Sequence, residues 1–238
     1  MRAIFLNCWY SKAGESFWQF LEENSSTVDI FCFQEVSPEM FSKMSVIFEE
    51  YNGFFESAGW FEYFKLESGQ AIFVKKNFKV LSSGKTLVFR KTENDRGFLM
   101  YADLEKEGKV FSIGNIHGKW SPGNKLDSPI RIKQSQKVIG LFKKKNLVNI
   151  VGGDFNLMPE TESVGMFTKE GYRNLIKEFK IGSTRNELTW ASKKNDPGFV
   201  KQYFSDYIFT SPGVKVTDFS VPKIQVSDHL PLILDFEV

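Results

Sequence analysis

The sequence is poor in the residues that announce a specialised chemistry by number alone. Of 238 residues only two are cysteines, Cys8 and Cys32, and only two are histidines, His117 and His229. Both cysteines lie inside apolar, strand-like runs without metal-ligand spacing. That excludes a zinc module or a disulfide scaffold and reads as two buried free thiols in a reducing compartment. Charge of one sign is equally scarce. Lys and Arg number 31 against 29 Asp and Glu, leaving a formal +2, so an anionic substrate has to be held by a local patch rather than by global attraction. No apolar run approaches the ~18 residues needed to span a bilayer. The opening MRAIFLNCWYSKAGESF has no extended apolar region followed by a small-residue cleavage site. The expectation is a soluble, cytoplasmic, monomeric protein. Internal repeats, low-complexity tracts and long linkers are also lacking, so residues 1–238 read as a single domain.

What the chain does have is apolar bulk, at 42% hydrophobic with 25 phenylalanines scattered through every kind of pattern. Core filling accounts for them without a nucleobase-stacking platform. Beta-branched and aromatic runs recur at short intervals: AIFLNCW, VDIFCFQEV, QAIFVKK, TLVFR, GFLMYADLE, KVFSIGNIHG, LVNIVGGDFN, YFSDYIFT, VKVTDFSV and LPLILDFEV. These predict about ten strands, too many for one small open sheet. Helix-like segments lie between them: SKAGESFWQFLEENSS, SPEMFSKMSVIFEEYN, SPIRIKQSQKVIGLFKKKN and SVGMFTKEGYRNLIKEF. Ser37, Pro38 and Glu39 open the second in N-cap and N1 order. Two sheets face to face with helices on their outer faces would bury all of this, an α/β fold.

The stretch LVNIVGGDFNLMPE, residues 147–160, is the most informative. An apolar run fit for a buried strand ends in Gly152 and Gly153, which let the backbone turn sharply or approach a ligand closely, and then in Asp154 and Asn156. A carboxylate and an amide two residues apart face one point in an extended segment, which suits a hard divalent cation or a phosphate. An ordinary strand-ending turn would use the same residues. Other strands end alike, however. AIFL runs into Asn7, and DIFCFQ into Glu35 behind Gln34. VFSIGNIH carries Asn115 and His117, YFSDYIF carries Asp206, and Asp228-His229 stand just before the last apolar run. Both histidines of the chain fall at such ends. Each member has a bland structural reading of its own, but one metal and phosphate site explains them together. The connection HGKWSPGNKLDSPIRIK, residues 117–133, adds Lys119, Trp120, Lys125, Arg131 and Lys133 in a long loop of the kind that often carries function.

In this order N-x-W, Q-E at 34–35, N-x-H at 115–117, G-D-F-N at 153–156, D-Y-I-F at 206–209 and S-D-H at 227–229 resemble the endonuclease/exonuclease/phosphatase (deoxyribonuclease-like) superfamily, over nearly the whole chain from Asn7 to His229. The resemblance implies a four-layered α/β sandwich, two central mixed β-sheets flanked by helices, with a site at their edge. It implies Mg²⁺, with Mn²⁺ as a substitute, on Glu35 with Asn7 beside it and Asp228 completing or bridging through water. Asp154 would position or deprotonate the attacking water, Asn156 would hold a phosphate oxygen, and His229, paired with Asp206, would contact the phosphoryl group or transfer a proton. His117 resembles the second histidine of the deoxyribonuclease and sphingomyelinase branches. Arg96, Asn115, Lys119, Trp120 and Arg131 are the expected substrate contacts. The chain departs from the pattern at Phe204, where many relatives have a basic residue. That phosphate contact is either missing or supplied by Lys201 or Arg96. N-I-H at 115–117 departs from the abasic-endonuclease arrangement and disfavours that specificity.

The expected function is Mg²⁺-dependent hydrolysis of phosphodiester bonds in nucleic acid. The alternatives are a phosphatase or phospholipase-C-like hydrolase of lipid headgroups or small phosphoesters, and an inactive binding module. The last would show erosion of Glu35, Asp154 or His229, and none is eroded.

Overall fold

All ten apolar runs form strands in the computed structural model, which describes residues 1–62, 65–92, 95–120, 124–191 and 196–238, and of residues 91, 92, 95 and 96 the backbone only. In chain order the strands are β1 (Arg2–Asn7), β2 (Ile30–Val36), β3 (Tyr51–Phe61), β4 (Leu66–Lys75), β5 (Lys79–Thr92), β6 (Asp95–Lys106), β7 (Lys109–His117), β8 (Val148–Asp154), β9 (Arg173–Asn174), β10 (Asp206–Thr210), β11 (Lys215–Ser220) and β12 (Leu232–Glu237). The helices are α1 (Glu15–Ser25), α2 (Pro38–Ile47), α3 (Pro129–Lys145), α4 (Glu162–Lys169), α5 (Leu175–Glu178) and α6 (Glu187–Ala191).

Two six-stranded mixed sheets result, ordered β11-β12-β1-β2-β4-β3 and β5-β6-β7-β8-β10-β9. Each is built around one parallel pair, β1 with β2 and β7 with β8, and the remaining neighbours run antiparallel. Strands buried on both faces explain the unbroken apolar runs. Along β1, Ile4 and Leu6 pack with Phe17 and Leu21 of α1 and Met40 and Met44 of α2, while Ala3 and Phe5 join the core that includes the second sheet. Val138 and Phe142 of α3 and Phe167 of α4 belong to that core too. Each of these side chains larger than alanine contributes about 1.5–3 kcal/mol by its burial.

The helix starts follow the sequence signals. Ser37 accepts from the Met40 N–H and Ser128 from the Arg131 N–H, each followed by a proline at the first helical position. Asn146 in the left-handed region ends α3. Cys8 and Cys32 are free, buried thiols, and burial raises both above the ordinary cysteine range.

The structure corrects three expectations. SVGMFTKEGYRNLIKEF is not one helix: Gly171, at φ +85°, ends the turn after α4, and the chain then lays down β9 against β10 before α5 begins. Strand β3 was not expected. It is an edge strand, half-buried along most of its length and punctuated by Gly53 and Gly59, so it has neither alternation nor a full apolar run. Finally, Gly152 and Gly153 make no turn. Both lie within β8, where a Cβ at Gly152 would sit 2.8 Å from the Phe5 ring of the other sheet and one at Gly153 (φ +125°) 2.3 Å from Ile116 O. The pair lets the sheets close on each other directly beneath the strand ends.

Candidate active site

Because the parallel pairs point their carboxyl ends the same way, Asn7, Glu35, His117 and Asp154 emerge at one edge of the sandwich. The register places Asn7 opposite Gln34, and His117 and Asp206 both opposite Asp154. Glu35 occupies a bulge, since Gln34 pairs with Gln70 and Val36 already with Gly69. Its φ of +55° is a conformation that costs a non-glycine residue about 1–3 kcal/mol. The bulge turns the carboxylate out of the ladder and toward the neighbouring sheet. Immediately after β1, Trp9, Tyr10 and Ser11 also have positive φ.

Asn7 is fully buried and bridges the two sheets. Its Oδ1 accepts from the Trp9 N–H (3.0 Å), and its Nδ2 donates to Glu35 Oε1 (3.1 Å) and to Asp154 Oδ2 (3.1 Å). It was expected to offer an oxygen to a metal. Its amide is turned with the nitrogen between the two carboxylates, which it spaces. Asp154 is held from behind by the Asn156 N–H (2.8 Å) and Ser205 Oγ (2.5 Å) on Oδ1. Asn156, in the left-handed region at φ +54°, donates to Gly118 O at 3.2 Å.

His229 Nδ1 lies 2.9 and 3.0 Å from the two oxygens of Asp206, and Thr184 Oγ1 donates to Asp206 Oδ2 at 2.8 Å. Facing a carboxylate, Nδ1 carries the hydrogen and Nε2 points inward, 3.8 Å from Asp154 Oδ2 and 3.9 Å from Asp228 Oδ1. On the opposite wall His117 Nε2 is 3.7 Å from Glu35 Oε1 and 3.8 Å from Asp154 Oδ2. Asp228 pairs with Arg185 at 3.1 Å. Ser227 Oγ donates to Asn7 O at 2.6 Å, fastening the S-D-H segment to the end of β1.

These neighbours set the charge states. Burial pushes Asp154 up, but His229, Lys125, His117 and the Ser205 hydrogen bond outweigh it and hold the carboxyl well below the usual range. Burial raises Glu35, against the attraction of His117. Burial and Arg185 oppose the charge on His229, and Asp206, Asp228 and Asp154 together overcome them, so its pKa is raised. Burial and Arg185 bring Lys125 down to about 7. Its Nζ donates only to Phe204 O, at 3.4 Å, among the described residues.

A divalent cation suits this donor set. Glu35, Asp154, Asp206 and Asp228 bring four carboxylates together against the cations Arg185 and Lys125, an excess of negative charge rich in the hard oxygens such ions prefer. Ligand atoms of Asp154, Asp206 and His229 lie within 4.8 Å of one another. Asp206 is nevertheless committed to His229 and Thr184, whereas Glu35 keeps 19% of its side chain exposed and is the more open carboxylate.

The expected substrate contacts fare unevenly. Asn115 is fully buried and donates to Phe33 O (2.9 Å) and Ala71 O (3.2 Å) of the other sheet, so it stitches the sheets. Arg131 is buried as well, and its guanidinium donates to the carbonyls of Lys119, Asn124 and Leu126, organising the loop before α3. Lys201 pairs with Glu187 at 3.1 Å, both side chains being exposed. The Arg96 side chain lies outside the described residues, as do residues 121–123 of the long loop. Lys119 and Trp120 reach the open edge beside His117. Arg185 and Thr184 were not anticipated: they sit on a connection after α5 with no periodic pattern to mark them.

Comparison with known proteins follows the same line. A family model described as the Endonuclease/Exonuclease/phosphatase family matches residues 5–229. No curated protein matches the chain. Among solved structures it is similar to the human Nocturnin catalytic domain with bound sulfate anion, at 23% identity and TM-score 0.78, covering 100% of this chain and 93% of that one. It is also similar to a Bacteroides thetaiotaomicron mannosyl-6-phosphatase, at 17% identity and TM-score 0.75, covering 100% of both chains. D. rerio TDP2 complexed with single strand DNA product is similar at 18% identity and TM-score 0.73, covering 100% of this chain and 99% of the other.

Proposed function

Because the chain belongs to the endonuclease/exonuclease/phosphatase family, a family of phosphoric ester hydrolases, we propose that it is a divalent-metal-dependent phosphodiesterase of the nuclease type. The observation that carries this reading is the convergence of Glu35, Asp154 and the His229–Asp206 pair at one sheet edge. Glu35 would hold Mg²⁺, or Mn²⁺ in its place, with Asp154 or Asp228 alongside, and the ion when bound neutralises charge on the phosphate oxygens.

The chain's own groups supply the rest. Hydrolysis adds water to phosphorus, breaks the ester P–O bond and returns a proton to the leaving oxygen. A carboxylate held as far down as Asp154 is a weak base, so its role is to accept a hydrogen bond from the attacking water and orient it. His229, its cationic form favoured by Asp206, faces the phosphoryl group through Nε2 and is the proton donor. Lys125 and Arg185 add positive charge at the same wall, and the buried Lys125 ammonium has no carboxylate bonded to it among the described residues.

Nucleic acid is the substrate we favour, supported by Lys119 and Trp120 at the mouth and by the single strand DNA product bound to the similar D. rerio TDP2. A small phosphoester is the second reading, supported by the mannosyl-6-phosphatase activity of the similar Bacteroides protein and by a net charge of only +2. A cytoplasmic setting is supported by the two buried, unpaired thiols. Among the described residues no helix is long and apolar enough to cross a membrane.

The test is hydrolysis of bis-p-nitrophenyl phosphate with Mg²⁺ and with chelator, in the native protein and in His229→Ala. Turnover should vanish with chelator and fall about 10²–10⁴-fold in the variant. Turnover that ignores both would rule the site out.

A further inference from the structure

Thr184 takes no part in the chemistry proposed above, yet its hydroxyl sits where the two halves of that chemistry meet. The side chain is fully buried. Its Oγ1 accepts from the Ser205 N–H at 3.1 Å and from the Asp206 N–H at 3.2 Å, and it donates to Asp206 Oδ2 at 2.8 Å. A hydroxyl has two acceptor positions and one hydrogen, so all three are in use and the hydrogen has a single direction to take. The two N–H groups need such a partner because β9 pairs with β10 only at Phe209 and Thr210, leaving the entry to β10 without a strand on that side. The backbone of Thr184 is pinned as well. Its N–H donates to Tyr203 O and its carbonyl accepts from the Leu230 N–H, each at 2.8 Å, and Arg185 beside it bridges to His229.

The two residues held by this one oxygen carry different loads. Ser205 Oγ donates to Asp154 Oδ1 at 2.5 Å, and Asp206 faces His229 Nδ1 at 2.9 and 3.0 Å. The water-orienting carboxylate and the proton-donating histidine therefore hang from neighbouring residues with a common anchor, and His229 Nε2 stands 3.8 Å from Asp154 Oδ2. A cap serving only to satisfy two backbone N–H groups would need an acceptor and nothing more. An aspartate would meet that need, but it would bring no hydrogen to Asp206. A hydroxyl does both, and its hydrogen fixes the carboxylate on which the imidazole rests. We infer that Thr184 is a positioning residue, whose hydroxyl sets the Asp206–His229 pair and, through Ser205, Asp154 in register on one phosphoryl centre. The inference rests on the phosphoesterase reading above for what His229 and Asp154 do, and adds the residue that aligns them.

The experiment joins proton NMR of the imidazoles, of which the chain has only two, to steady-state hydrolysis of bis-p-nitrophenyl phosphate with Mg²⁺. In chelator the native protein is expected to show one Nδ1–H resonance protected from exchange with water and absent from His229→Asn. Thr184→Ser keeps the hydroxyl and should keep both this resonance and turnover close to the native rate. Thr184→Val, its fold checked by circular dichroism, keeps the shape without the hydrogen bonds. It should open the Nδ1–H to exchange and lower kcat about 10–100-fold with little change in KM. Thr184→Ala, measured beside it, asks the same without a methyl group set against the two N–H groups. A native spectrum lacking the protected proton, a resonance and rate that survive both deletions, a Thr184→Ser that falls as far as Thr184→Val, or collapse of the fold in both deletions would overturn the inference. A protein whose His229 resonance follows the hydroxyl but which hydrolyses no phosphoester keeps Thr184 as the aligner of the pair and loses the function. One with chelator-sensitive turnover that neither deletion lowers keeps the function and loses the positioning role.

Discussion

Lys125 is the residue whose position is hardest to explain by folding alone. An ammonium buried among Asp154, Asp206 and Asp228 and, among the described residues, hydrogen-bonded only to the Phe204 carbonyl has given up hydration without a carboxylate bonded to it. The sign of its effect is explicit. Its pKa falls from the ordinary lysine range to about 7, so between pH 7 and about 10 the unfolded chain binds more protons and stability rises with pH. Lys125→Met should therefore raise the thermal midpoint at pH 7, by the equivalent of about 1–4 kcal/mol, while lowering turnover. A variant that loses both stability and activity would mark the lysine as structural. His229 behaves oppositely. Its raised pKa contributes stability in full below its unfolded value near 6.5, and that contribution is lost as pH rises through the folded value. Asp206→Asn removes part of the attraction, so the alkaline limb of the rate profile should move to lower pH and the maximal rate should fall. An unmoved limb would remove His229 as the titrating donor. At this scale the sequence marked where polar residues bound apolar runs, as at Asn7, Glu35, Asp154, Asp206 and His229, and the structure brings these five together. It was illegible at Arg185 and Thr184, which an irregular connection delivers, and at Asn115 and Arg131, whose buried side chains bond backbone carbonyls.

At the scale of elements, β8 couples the fold to the site. Its first residues are core, its last is Asp154, and between them two glycines allow the sheets to touch. Gly153→Ala places a methyl group 2.3 Å from Ile116 O in a backbone conformation with φ +125°. The variant should lose about 2–4 kcal/mol in urea unfolding. A midpoint unchanged from the native protein would show that β7 and β8 have room to spare. Doubly buried strands were readable because their apolar runs are continuous, and helices because Ser-Pro caps mark where α2 and α3 begin. Edge strand β3 and the two-residue β9 were not. The one exposes half its face, and the other exists only through pairing with β10.

At the scale of the whole molecule, each sheet sends the carboxyl ends of one parallel pair to the same edge, and the site is assembled between them from segments as distant in sequence as Asn7 and Ser227. Two-sheet packing could be anticipated from the number of strands, and the edge from the residues that end them. How the amide of Asn7 is turned, and which carboxylate is left open, depend on close contacts between sheets that no spacing encodes. The central claim is that Glu35 and its neighbours form a single cation-holding, phosphoester-hydrolysing centre. Crystals soaked in Mn²⁺ and examined by anomalous scattering test it most directly. The account predicts one strong peak within coordination distance of Glu35 that disappears in Glu35→Gln. A peak elsewhere on the surface, or one that persists in the variant, would contradict it.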